Sequence, residues 1–158
     1  MKKVISFILV CVITLTALPT FVFAESTNVD INHPSSVMLD YYTEQLNGNL
    51  LIVHSVTLTE RGYNSKTATH TENFYASGAL IATIAIQVTF HYDGTNVIVA
   101  SKSVTQASTY NGWGYTQNSF TSSGGTVTLS GTLSKFLHSN QVFSMSLSCD
   151  KDGNISAT

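Results

Sequence analysis

The sequence predicts an all-β fold, an antiparallel two-sheet sandwich of about immunoglobulin size, preceded by one short helix. Three observations carry this. Apolar residues alternate with polar ones over several stretches, turn signals recur at intervals of roughly 8–12 residues, and no helices alternate with the strands. The chain has 158 residues, 43% hydrophobic and 10% charged, enough to bury a core as one domain. With Lys+Arg 7 against Asp+Glu 9 and no cationic cluster, nothing offers the electrostatic footprint that nucleic acid requires, and that class of partner is excluded.

The first element is not part of the fold. Met1-Lys2-Lys3 is a basic start, Val4 to Leu15 is apolar or small, and Val22-Phe23-Ala24 ends on a small residue. This is the pattern of a secretory signal peptide, residues 1–24, cleaved after Ala24, which makes the protein extracellular. The same run is long enough to act as a retained anchor, and the small-residue end favours cleavage. Cys11 lies mid-run and is poorly placed for lipidation. Removal of the leader leaves 134 residues with five cations against nine acidic groups, a net charge of −4. It also leaves Cys149 as the single cysteine, so no internal disulfide can staple the domain.

Residues 25–49 are expected to be a linker with a short helix. Glu25 to Ser36 is polar and aperiodic, whereas apolar residues at 37, 38, 41, 42 and 46 approach a 3.6-residue period, with Gly48 as a stop. From residue 50 to 158 the period is two. Leu50 to Thr59 is a strand with His54 on its apolar phase, which points to a hydrogen-bonded core histidine rather than a ligand. Lys66 to Tyr75 is Thr-rich and weakly patterned, so it is placed at an edge. In Ala79 to Tyr92 the even positions Leu80, Ala82, Ile84, Ile86, Val88, Phe90 and Tyr92 form one apolar face, and His91 falls on the opposite one. Asp93-Gly94-Thr95-Asn96 then closes a four-residue hairpin onto Val97–Ala100. Val127, Leu129 and Leu133 alternate with hydroxyls, as do Phe143, Met145, Leu147 and Cys149, so Cys149 is expected to be buried. Ser and Thr make up 37 of the 134 residues after Ala24 and keep the outward phases soluble without charge. Six or seven strands result.

The run Ser65-Lys66-Thr67-Ala68-Thr69 with Ser77-Gly78, the hairpin Thr89-Phe90-His91-Tyr92-Asp93-Gly94-Thr95, and Leu147-Ser148-Cys149-Asp150-Lys151-Asp152-Gly153-Asn154 resemble a group of small secreted β-rich proteins of Gram-positive bacteria. The resemblance spans about residues 65 to 155. It implies secretion and an all-β fold, and brings no activity and no site residues with it.

Chemistry is sparse. Tyr110-Asn111-Gly112-Trp113-Gly114-Tyr115 concentrates three aromatics and two glycines. Rings on such a loop stack on the apolar faces of sugars, so Tyr110, Trp113 and Tyr115 are the candidate ligand-binding residues. The competing role for Trp113 is to plug one end of the core. Asp150-Lys151-Asp152-Gly153-Asn154 opens like a calcium loop, lacks the later acidic ligand, and is better read as a turn. His33, His54, His70, His91 and His138 show no close ligand spacing, so no metal site and no cofactor are expected. No catalytic residues stand out: nothing local activates Cys149, and no Gly-x-Ser-x-Gly occurs. The reading that follows is an exported non-catalytic binding or interaction domain, with a cell-surface glycan or a protein as partner. A membrane-active protein, pore-forming or bacteriocin-like, built on the amphipathic Leu80 to Val104 segment is the alternative, and a hydrolase the third.

Overall fold

The computed structural model describes residues 36–46, 50–60 and 64–158. The expected signal peptide, residues 25–35 of the expected linker and the expected helix stop at Gly48 lie outside the described residues. Among these residues there are nine strands and no helix: β1 (Ser36–Leu46), β2 (Leu50–Glu60), β3 (Ser65–Ala76), β4 (Ala79–Tyr92), β5 (Val97–Thr109), β6 (Gly114–Ser123), β7 (Thr126–Ser134), β8 (Gln141–Cys149) and β9 (Ile155–Ala157). They make two antiparallel sheets, ordered β1-β2-β3-β4-β5 and β6-β7-β8-β9. Each sheet is a plain meander, and the chain changes sheet once, between β5 and β6.

That change is made by a turn whose chemistry is local. Asn111 and Gly112 both adopt positive φ, 56° and 76°, a combination that Asn-Gly tolerates best. The Trp113 N–H donates to the Tyr110 carbonyl at 3.1 Å, and the Asn111 side chain donates to the Leu80 carbonyl at 2.9 Å, tying the turn to β4.

The two sheets share one core. Phe74, Ile84, Ile86, Val88 and Phe90 from the larger sheet meet Val127, Leu129, Leu133, Phe143, Met145 and Leu147 from the smaller. Phe74 and Phe143 touch across the layers with ring centroids 4.8 Å apart, tilted by 58°. β4 keeps the expected inward phase from Ala82 on: Ala82, Ile84, Ile86, Val88 and Phe90 are fully buried, and His91 is exposed; at its start the β3–β4 register shifts and Ile81, not Leu80, enters the core. The β4–β5 hairpin turns at Asp93–Asn96, where the Asp93 carboxylate accepts from the Thr95 and Asn96 N–H groups at 2.8 and 2.6 Å. In β7, Gly131 is required by its neighbours, since a Cβ there would lie 2.6 Å from both the Phe143 and Tyr115 rings.

Two expectations are corrected. Residues 37–46 are a strand, not a helix: β1 pairs along its length with β2. Its register shifts between Met38 and Asp40, leaving Leu39 as an extra residue. That bulge disrupts the two-residue period and mimics a helical one. No core receives the supposed helical stripe, since Val37, Met38 and Tyr41 are 55–61% exposed, while pairing satisfies the open edge of β2. The Thr-rich segment is not an edge either. β3 is the central strand of its sheet, hydrogen-bonded to β2 and β4, and its inward phase, Ala68, His70, Glu72 and Phe74, is buried. Two polar residues on that phase hid the pattern. The strand count also rises, through β1, β6 and the three-residue β9.

Phe90→Ala is expected to cost roughly 3–5 kcal/mol in urea denaturation, as a large-to-small core truncation, and His91→Ala little. The reverse order would mean that the sheet register is displaced by one residue. Cys149 is 5% exposed and its thiol is pushed up to about 11, by burial first and then by Asp150. The native protein should therefore resist a chromogenic thiol reagent until denaturant is added; full reaction of the native state would reject this packing.

Candidate functional site

The inner face of the larger sheet carries a polar cluster. Antiparallel pairing sets His54 of β2 opposite Glu72 of β3, and Val56 opposite His70, while the two-residue period keeps His70 and Glu72 on one face. β1 adds Tyr42 opposite His54, and the two rings stack at 4.2 Å with an interplanar angle of 8°. His54, His70 and Glu72 are 2%, 0% and 1% exposed. His54 Nδ1 lies 3.3 Å from His70 Nε2 and 3.3 Å from Glu72 Oε1, and His70 Nε2 lies 4.0 Å from that oxygen. On the far side of His54, Nε2 is 3.7 Å from the half-exposed Glu44 carboxylate.

Hydrogen bonding fixes one tautomer. The Ser146 carbonyl of β8 sits 3.2 Å from His70 Nδ1 and can only accept, so Nδ1 carries the proton and Nε2 presents a lone pair. Burial, reinforced by His54, lowers the His70 pKa to about 4, keeping the ring neutral. Burial raises the Glu72 pKa, opposed by its hydrogen bond to His54. Burial raises the Tyr42 hydroxyl too, with Glu72 adding to it. Glu72 Oε2 and His54 Nε2 have no hydrogen-bond partner. The cluster adjoins a cleft of about 320 Å³ that His54 and Glu72 line together with Glu44, Ser130, Phe143 and Ser144. Among the described residues, His54, His70 and Glu72 are the group that could hold a metal ion, since their donor atoms lie within 4.8 Å of one another.

A second cleft, about 560 Å³, lies at the sheet-changing end of the sandwich. Trp113 lines it with Leu50, Ile81, Asn111, Lys135, His138, Ser139 and Gln141. Trp113 is half-buried against the core and meets His138 at 5.7 Å. Of the three aromatics singled out from the sequence, only Trp113 faces this cleft. Tyr110 is 40% exposed on the turn, whereas Tyr115 sits in β6 with its ring on Phe143 at 6.0 Å and its hydroxyl without a partner. The aromatic hexapeptide is therefore split by the strand that begins at Gly114.

The Asp150 loop closes on itself. The Asp150 carboxylate accepts from the Asp152 and Asn154 N–H groups at 2.9 and 2.8 Å and from the Asn154 side chain at 2.7 Å, as a turn requires. His54 is the core histidine that its strand phase predicts. The sequence did not single out its joining with His70 and Glu72. The signal was present in the shared even phase of residues 54, 70 and 72, but it needs the β2–β3 register to be seen. Comparison of the chain with family models, with curated proteins and with solved structures finds no match.

The cluster sets opposing pH dependences. His70, neutral in the fold and protonated in the unfolded chain below its ordinary 6.5, contributes stability that is lost as pH falls from 6.5 toward 4. Glu72, with its folded pKa raised above 4.5, costs stability as pH rises above that value, so the two slopes have opposite signs there. Glu72→Gln leaves the His70 slope alone. Its urea-denaturation stability should fall on going from pH 6.5 to 5 more steeply than that of wild type, by up to about 1.4 kcal/mol per pH unit.

Proposed function

We propose that the protein is an exported, non-catalytic binding domain that recognises a cell-surface glycan in the Trp113 cleft. The observation that supports this is the placing of Trp113, which packs against the core yet lines a recess rimmed by Asn111, Lys135, His138, Ser139 and Gln141. An aromatic surface held by packing stacks on the C–H face of a pyranose at little entropic cost, and the surrounding amides, hydroxyl and ammonium supply the directional hydrogen bonds. This joins the two roles that the sequence left open for Trp113, core plug and ligand platform. Export through the leader at residues 1–24 brings the domain to such ligands, and a net charge of −4 after its removal suits a neutral rather than a polyanionic partner.

A second reading, a membrane-active secreted protein, has one observation in its favour. Phe136 and Leu137, beside the same cleft, are 86% and 88% exposed, and Leu137 holds a positive φ of 62°. An apolar pair displayed at a loop tip suits insertion into a bilayer or a protein pocket. The Leu80 to Val104 segment favours it less, since the inward side chains of β4 are already spent on the core.

Trp113 is the sole tryptophan, so intrinsic fluorescence reports on this cleft alone. Titration with a panel of cell-wall and host glycans should give a saturable emission change with at least one of them. His138→Ala, at the exposed rim, should weaken it. An emission maximum unresponsive to the whole panel rejects the glycan reading, and dye release from liposomes by the same sample would turn the assignment to the membrane.

A further inference from the structure

We propose that His54, His70 and Glu72 form a mononuclear site for a divalent transition-metal ion, zinc in the first place, bound through Nδ1, Nε2 and Oε1. The three donors stand 3.3, 3.3 and 4.0 Å from one another. Ligands held at ~2.0–2.1 Å by a tetrahedral ion lie about 3.3–3.4 Å apart, so two separations already fit and the third, at 4.0 Å, must close by about 0.6–0.7 Å. They come from two neighbouring strands of a sheet, a rigid mount, and no ligand depends on a loop.

With Glu72 ionised, hydrogen bonding alone leaves this cluster short of protons. Since His70 Nδ1–H is committed to the Ser146 carbonyl, His70 Nε2 and Glu72 Oε1 are both acceptors, and the single proton that His54 Nδ1 can carry must serve them both. A cation between the three atoms pairs with the facing lone pairs of all three at once and neutralises a carboxylate that is 1% exposed. The proton displaced from His54 Nδ1 has a place on Nε2, which faces the Glu44 carboxylate at 3.7 Å. The outer contacts resemble those of a metal-binding histidine pair: the His70 ring donates its remaining N–H to the Ser146 carbonyl, and the His54 ring turns Nε2 toward the Glu44 carboxylate at 3.7 Å, a separation beyond hydrogen-bond reach. With three protein ligands, the fourth position is left to water or to a ligand entering from the adjoining cleft of about 320 Å³. Two imidazoles disfavour magnesium and calcium. The site is separate from the Trp113 cleft, and neither proposal depends on the other.

The test uses the secreted protein, stripped with a chelator and titrated with zinc sulfate. One ion should bind per chain, and zinc at a hundredfold excess over its Kd should raise the thermal midpoint by roughly 5–15 °C. Cobalt should give the visible bands of a tetrahedral nitrogen and oxygen site, and magnesium should do nothing. Glu44→Gln, a change at an exposed position, should weaken zinc binding about 10–100-fold, and His70→Gln should abolish it. Nitrogen-15 NMR of the histidine rings decides the question without any variant, because zinc should perturb Nδ1 of His54 and Nε2 of His70. Failure of the folded protein to bind zinc, undiminished binding by folded His70→Gln, or zinc-dependent shifts confined to the exposed His91 and His138 would each overturn the proposal.

Discussion

The two sheets close on each other by packing alone, because the described residues hold one cysteine, Cys149, and no disulfide. β4 is where that closure is concentrated. It is hydrogen-bonded on both sides, by β3 and β5, and its inward face is covered by the smaller sheet, while Thr83 and Ala85 on the opposite phase are buried as well. Much else in the structure follows from that contact. Gly131 keeps the room that Phe143 and Tyr115 need to approach, Phe143 in turn reaches Phe74, and Cys149 ends β8 as a small apolar residue rather than a reactive thiol.

The sheets are unequal, and the inequality places the polar chemistry. Five strands face four, and the last of the four has only three residues. The β1 and β2 side of the larger sheet is thus incompletely roofed, which leaves the cleft where Glu44 stands at the mouth and His54 and Glu72 form the wall. A histidine pair and a carboxylate here cost desolvation energy that an apolar trio would not. They rigidify the sheet to the extent that their lone pairs are satisfied, and the proposed cation would engage the three that face one another.

The other end of the sandwich is governed by the change of sheet. Having finished β5, the chain must cross to the second layer in a few residues, and Asn111 and Gly112 absorb the reversal in left-handed conformations. Trp113 follows at once and is carried against the core, with the Lys135 to Gln141 connection opposite it. The same covalent constraint therefore produces both the end plug and the recess beside it. Tyr115, two residues later, is already committed to β6 and to the interior.

What the sequence determined by itself is whatever depends on short-range alternation and turn chemistry. The all-β class, the β4–β5 hairpin with its Asp93–Asn96 turn, the inward phase of Phe90 and Cys149 and the outward phase of His91 were all legible, because a period of two assigns faces without knowledge of partners. Tertiary structure decided the rest. The bulge at Leu39 gave β1 a false helical period, and only the open edge of β2 makes that segment a strand. The central position of β3 was concealed by His70 and Glu72, polar residues on its buried phase. Those two residues and His54 are separated in sequence by most of a hairpin, and their distances depend on a register that no local pattern specifies, so the candidate metal-binding cluster among the described residues came into view only when the strands were paired.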